Sequence, residues 1–220
     1  MKGVIAGLAP KTRVVDVCHG VPPRDIRSGA LFLRTAVPYF AAGTLFVAVV
    51  DPGVGSKRRV VFARTKTHSF LAPDNGLLSW LPEKVLERRS VENAKLFLPE
   101  VSSTFHGRDI FAPVAARLSK GLPPAKLGPK IADPVALAWP DSEIVAFDRF
   151  GNAITSVQGP VKGIRYKGRE IPVRKTYADV NPGEEIAVIG SNGLMELCLR
   201  DGNFAERSSA RLGEIIDVRR

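Results

Sequence analysis

Apolar and polar residues alternate along the first half of the chain in two different periods. Residues 12–17, Thr-Arg-Val-Val-Asp-Val, have the short β-branched character of a strand, while residues 25–40 repeat their apolar positions at helical spacing. The run 43–50 is almost wholly apolar, as a central parallel strand covered on both faces would be, and it stops at Asp51-Pro52-Gly53. Two further strands are expected at 59–64 and 69–72, the second ending in the turn Pro73-Asp74-Asn75-Gly76. Residues 108–120 return to helical spacing and close at Gly121. Beyond residue 141 the pattern changes to short strands separated by turns, at 143–148, 153–157, 163–166, 185–189, 194–199 and 214–218, with no long helix. The expected class is therefore α/β: an N-terminal α/β domain (1–125) around a central, mostly parallel sheet, a linker (126–140), and a small C-terminal all-β, barrel-like domain (141–220).

Composition narrows this little. The 220 residues are 45% hydrophobic and 25% charged, which fits a globular protein and excludes collagen-like and disordered chains. No apolar run reaches the roughly 20 residues needed to cross a bilayer, and the first residues lack the apolar core of a secretory signal, so a cytoplasmic location is expected. Cys18 and Cys198 are far apart and outside any CxxC pattern; buried free thiols are expected, and no metal site. A formal charge of +10 makes a polyanionic partner worth weighing. Yet the basic residues form only short clusters such as Lys57-Arg58-Arg59 and Glu87-Arg88-Arg89-Ser90, without interleaved aromatics, which reads as solvated surface and makes a nucleic-acid partner unlikely.

Chemistry has four places to sit. The segment 50–58 follows the apolar strand, where open α/β sheets bind ligands. Its Gly53 and Gly55 make only a GxG with no helix behind it, so nucleotide loops are excluded. A carboxylate, Asp51, and a guanidinium, Arg58, remain; the alternative is a purely structural Asp-Pro-Gly turn. The segment 104–109 holds Phe105, His106, Gly107, Arg108 and Asp109 at a helix start. There His106 can titrate near neutrality and Asp109 meets the helix dipole, or the two merely cap and decorate the helix. Asp148-Arg149-Phe150-Gly151-Asn152 offers an aromatic face and an amide suited to a planar base. Residues 190–196 read most simply as a hairpin turn.

Taken in this order, VDPGVGSKRR, PDNGLLS, TFHGRDIFAPVAARL, DRFGN and GSNGLMEL resemble the S-adenosylmethionine hydroxide adenosyltransferase family, relatives of fluorinating and chlorinating enzymes, over nearly the whole chain. The resemblance implies hydrolysis of S-adenosylmethionine to adenosine and L-methionine by water or hydroxide attacking ribose C5′, with no cofactor and no metal. It implies that Asp51, Arg58 and His106 hold the water. Phe150 and Asn152, with Asn203 and Ala205, would meet adenine, and Ser191, Asn192 and Glu196 the methionine end; Asn75, Phe105 and Gly107 would also approach the ligand. It implies a homotrimer whose sites lie between subunits.

Members of that family begin with a strand and a DFGxxDxYV-like segment ahead of the MKG that opens this chain, so a missing first strand and a missing ribose-binding carboxylate are expected. Two alternatives stand beside hydrolysis. One is a halogenase, opposed by charge where those relatives place hydroxylic or small residues; the other is a truncated nucleoside- or nucleic-acid-binding module without activity.

Overall fold

The computed structural model describes residues 1–220, which divide into two compact units, Met1–Leu137 and Ala138–Arg220. No helix is long and apolar enough to cross a membrane.

Unit 1 contains α1 (Lys2–Leu8), α2 (Ile26–Ala36), β1 (Leu45–Val47), β2 (Val60–Arg64), β3 (Ser69–Pro73), β4 (Glu87–Ser90), a single π-helical turn (Gly107–Phe111) and α3 (Ala112–Ser119). Its sheet runs β1-β3-β2-β4. Only β1 with β3 is parallel, whereas β3 with β2 and β2 with β4 are antiparallel, so the expected mostly parallel sheet is corrected. The reason is local. Thr65–His68 is too short for a crossover, its Thr65 N–H donates to the His68 carbonyl at 2.9 Å, and a tight turn can only return the chain antiparallel.

Other expectations for this half also shift. The apolar run 43–50 contributes only β1, at the sheet's edge and half buried; beyond it Val49 packs on the core from a loop conformation. An apolar run reports burial, not position within a sheet. Residues 12–17 form no strand: no neighbouring strand offers a ladder, Val14, Val15 and Val17 stay exposed, and Asp16 pairs with Lys2 and His19 instead. The charged run 87–90 is the last strand at the opposite side of the sheet, and its outer side is covered by residues 129–131: Ser90 N–H donates to the Pro129 carbonyl at 3.0 Å and Ile131 N–H to the Arg88 carbonyl at 3.1 Å. By contrast α2 follows its periodicity. Asp25 caps it by accepting the Ser28 N–H at 2.9 Å, and Pro38 lies in the 3-10 turn that follows.

The core of unit 1 gathers Phe62, Leu71, Phe111, Val114 and Leu127 between the sheet and α3. A satellite of Ile5, Ala9, Ala112 and Ala116 seats α1 on α3 through small residues. Gly29 lets α2 close on Val50 and Leu77, since a Cβ there would stand 3.0 Å from Val50 Cγ2 and 2.9 Å from Leu77 Cδ1. Residues 133–137 run along this unit: Val135 N–H donates to Asp74 at 2.9 Å, and Leu137 N–H to Ser79 Oγ at 2.7 Å.

Unit 2 contains β5 (Ile144–Phe147), β6 (Ala153–Gln158), β7 (Gly163–Tyr166), β8 (Arg169–Ile171), β9 (Glu185–Ile189), β10 (Leu194–Leu199), a one-turn helix α4 (Phe204–Ser208) and β11 (Asp217–Arg219). Antiparallel sheets β5-β6-β10-β9 and β11-β7-β8 share one core of Ile144, Val157, Ile164, Tyr166, Leu197 and Phe204. The strand β8 and helix α4 have too few residues to show a period and escape sequence reading. Cys198 is buried as expected, while Cys18 is exposed, contrary to expectation, its Sγ accepting the Gly20 N–H at 3.1 Å.

Leu71, fully buried on the central strand β3, is the most economical probe of unit 1. Leu71→Ala is expected to cost about 2–5 kcal/mol, lowering the urea midpoint without changing the slope of the transition.

Candidate active site

Past β1 the chain reaches Asp51 and makes two consecutive turns. Val54 N–H donates to the Asp51 carbonyl at 3.2 Å, and Ser56 N–H to the Gly53 carbonyl at 3.1 Å. Ser56 Oγ then donates to the Gly53 carbonyl at 2.7 Å and accepts the Arg58 N–H at 3.2 Å. These turns bring the guanidinium back over the carboxylate seven residues earlier. Arg58 donates from Nε to Asp51 Oδ1 at 2.9 Å and from Nη2 to Oδ2, a two-pronged pair whose side chains are only 10% and 6% exposed. The ring of Phe111 lies beneath the guanidinium, 5.9 Å from its carbon.

The same Nη2 lies 2.9 Å from His106 Nδ1. A guanidinium has no lone pair to offer, so Nδ1 must accept, and the imidazole is neutral with its proton on Nε2. Burial holds the His106 pKa below its ordinary 6.5, and the Arg58 charge lowers it further, against smaller opposing effects of Asp51 and Asp109. The result is a hydrogen-bonded trio: a carboxylate, a guanidinium and an imidazole whose free nitrogen is a donor. Asn75 is tied to the backbone on both sides. Its Nδ2 donates to the Val50 carbonyl at 2.9 Å and its Oδ1 accepts the Leu77 N–H at 3.2 Å, which ties the end of β3 to the residue preceding Asp51. Phe105 is exposed with the Arg108 guanidinium 4.9 Å over its ring, and Gly107 opens the π-helical turn.

In unit 2, Asp148 organises a tight loop by accepting the N–H groups of Phe150 and Asn152, at 2.8 and 2.9 Å, and the Asn152 amide at 2.9 Å. Phe150 is thereby presented to solvent, with the Arg149 guanidinium 4.8 Å above it. Ala205 N–H donates to the Gly151 carbonyl at 2.9 Å, and Asn203 caps α4 by accepting the Glu206 N–H at 3.0 Å. Phe150, Asn152, Asn203 and Ala205 are thus brought together. Ser191 and Asn192 occupy the β9–β10 turn, where Asn192 Oδ1 accepts the Leu194 N–H at 2.9 Å. Glu196 lies beside Gly190 of that turn and accepts from the Tyr177 hydroxyl at 3.3 Å. Burial pushes its carboxyl above the ordinary range; Tyr177 works against that shift and Asp148 adds to it. Sequence reading missed Tyr177, which sits in a short 3-10 turn (Tyr177–Asp179) opened by a capping box of Thr176 and Asp179.

Residues 1–128 match the SAM hydroxide adenosyltransferase N-terminal domain and residues 142–217 the C-terminal domain of the same name. This chain belongs to the SAM hydroxide adenosyltransferase family. It is 42% identical to the (R)-S-adenosyl-L-methionine hydrolase of Thermus thermophilus, over 97% of this chain and 90% of that protein. With the enzyme of the same name from Salinispora tropica it shares 38% identity over 98% of this chain and 90% of the other. Among solved structures, the crystal structure of an uncharacterized conserved protein from Thermotoga maritima is similar at a TM-score of 0.90 and 34% identity, covering 99% of this chain and 93% of that one. Family membership covers both units, and the Asp51–Arg58–His106 trio lies wholly within the part matched to the family's N-terminal domain.

The electrostatics of the trio can be checked directly. Nitrogen-detected NMR should find the His106 midpoint below 6.5 and, at neutral pH, an unprotonated Nδ1. Asp51→Asn removes a charge that favours the imidazolium, so it should move the midpoint further down. A midpoint above 6.5, or a proton on Nδ1, contradicts the assigned geometry.

Proposed function

We propose that this protein hydrolyses S-adenosyl-L-methionine to adenosine and L-methionine, with the Asp51–Arg58–His106 trio holding the attacking water. The observation that carries the reading is the hydrogen-bonded trio itself, in a chain whose relatives at 42% and 38% identity are named for this hydrolysis.

The chemistry asks for little more. A sulfonium leaves as a neutral thioether without protonation, so the enzyme's work is to aim a water at ribose C5′ and give its proton somewhere to go. Water has a pKa near 15.7 in bulk and is a poor nucleophile unless held and relieved of a proton as the bond forms. In the proposed step the oxygen forms a bond to C5′ while the C5′–S bond breaks, its electrons going to sulfur. One proton is released, so the substrate's positive charge leaves as that proton. Asp51 is the acceptor, since each of its oxygens keeps a lone pair beyond those bound by Arg58. The Nε2–H of neutral His106 donates to the water oxygen and sets its direction, while Arg58 holds both partners and balances the carboxylate. His106 is a donor here and not the base, because its other nitrogen is occupied by Arg58. Water is preferred over halide at this point: a halide 4 Å from the Asp51 carboxylate meets a repulsion of about 4 kcal/mol at an effective dielectric constant of 20, offset in part by Arg58.

The remaining assignments belong to the same reading. Phe150 and Asn152, with Asn203 and Ala205, take adenine; Ser191, Asn192 and Glu196 take the methionine end; Asn75, Phe105 and Gly107 also approach the ligand. A homotrimer, with unit 1 of one copy and unit 2 of its neighbour completing each site, is part of the proposal.

Three experiments test it. In water enriched in oxygen-18, product adenosine should carry the label at its 5′-hydroxyl, with both sulfonium epimers assayed; a 5′-chloro or 5′-fluoro nucleoside formed when halide is added would overturn hydrolysis. Asp51→Asn should lower kcat by about 100-fold or more with little change in substrate affinity. Mixing Asp51→Asn with an inactive Asn152 variant should restore part of the activity only where sites are shared between chains.

A further inference from the structure

Asp109 is completely buried near the trio and has no part in the reaction proposed above. Its connections nonetheless converge on the one segment that separates the trio's two halves. The chain from Leu98 to Phe105 leads into His106, and Asp109 grips it at three points. Its carbonyl accepts the Leu98 N–H at 2.9 Å, its carboxylate Oδ2 accepts the Ser102 N–H at 2.8 Å, and its own N–H donates to the Phe105 carbonyl at 3.2 Å.

Each grip has a cause. The Asp109 carbonyl would meet the N–H of residue 113 in a regular α-helix, but that residue is a proline with none to give, so the carbonyl is free for Leu98. At the same place the helix widens into its π-helical turn, Ala112 N–H reaching back to the Gly107 carbonyl, and such turns recur at functional sites. The carboxylate is kept ionised by Arg108, which donates from Nε at 2.5 Å and from Nη2 at 3.0 Å, and by the Ser102 N–H, which together hold its pKa below the ordinary carboxylate range.

The segment so held presses on the other half of the trio. The Ser103 carbonyl oxygen lies against Gly55, in the turn that carries Asp51 and Arg58, and a Cβ on Gly55 would collide with it. Gly55 also has φ of 77°, in the left-handed region. The path therefore runs from Asp109 through Ser102 and Ser103 to the Asp51–Arg58 turn, and from Asp109 through Phe105 to His106.

We infer that Asp109 is a positioning residue that sets the distance between His106 and the Asp51–Arg58 pair by pinning the 98–105 segment between them. The inference rests on the proposed role of the trio. It extends the machinery to a residue that touches neither substrate nor water, for which misplacement of a reacting group by about 1 Å can cost about 100-fold in rate.

The test is a double-mutant cycle on hydrolysis of S-adenosylmethionine by the full chain, using Asp109→Asn, His106→Ala and both together. Asp109→Asn keeps the side chain's shape but loses the charge held by Arg108. It should lower kcat about 10- to 100-fold with KM within about threefold, and the double variant should be no slower than His106→Ala alone, within about twofold. Asp109→Ala should lose more than Asp109→Asn, which carries the cycle if the alanine variant does not fold. Wild-type kcat in Asp109→Asn overturns the inference while leaving the trio intact, as do losses that multiply in the double variant, which would mark an effect independent of His106. Wild-type kcat in His106→Ala instead removes the reading of the trio itself, and the positioning role with it.

Discussion

The buried pairing of Asp51 with Arg58 is the constraint around which unit 1 is arranged. Removing two charges from water costs several kcal/mol per ion, and the pair survives only because each partner is met at more than one point. The carboxylate receives two prongs of the guanidinium, the guanidinium lies over Phe111, and its remaining reach goes to His106. The arrangement also dictates protonation. A guanidinium pointed at an imidazole nitrogen requires that nitrogen to be bare, so Arg58 adds to burial in favouring the neutral form of His106. The fold delivers a donor, an acceptor and a fixed positive charge within one hydrogen-bonded group.

Three backbone devices make that group reproducible. Asn75 holds the chain just before Asp51, Ser56 closes the turn that returns Arg58, and the π-helical turn at Gly107–Phe111 directs His106. All of them sit at element ends, supported by a core that the sheet and α3 share. Unit 2 repeats the strategy with a different acid. Asp148 spends its acceptors on its own loop, which leaves Phe150 exposed and Asn152 buried, while Glu196 and Tyr177 form a separate polar pair.

Much of this was legible in the residues and some was not. The extents of α2, α3 and most strands of unit 2 follow from periodicity and turn chemistry, because each packs one face on a core built largely from its own neighbourhood. The trio was legible as residue types at motif positions, and its contact depends on a two-turn return that Gly53, Gly55 and Ser56 encode locally. Sheet direction was not. The pattern of β2 and β3 is equally apolar in either orientation, and only the brevity of Thr65–His68 decides it. Residues 12–17 carry a strand's pattern without a partner, since pairing is a property of two segments and an alternation describes one. Tyr177 escaped, and Asp109 was legible only as an acid at a helix start, because their connections lie across the fold, to Glu196 in one case and to Leu98 with Ser102 in the other.

The contact between Gly55 and the Ser103 carbonyl has a consequence for redesign. The two segments interlock like a key and its ward, so neither can be exchanged while the other keeps its native shape. A replacement loop grafted onto residues 51–58 with a side chain at position 55 would have to bring a matching 98–106 with it, so these stretches are expected to change as paired segments and not by single positions.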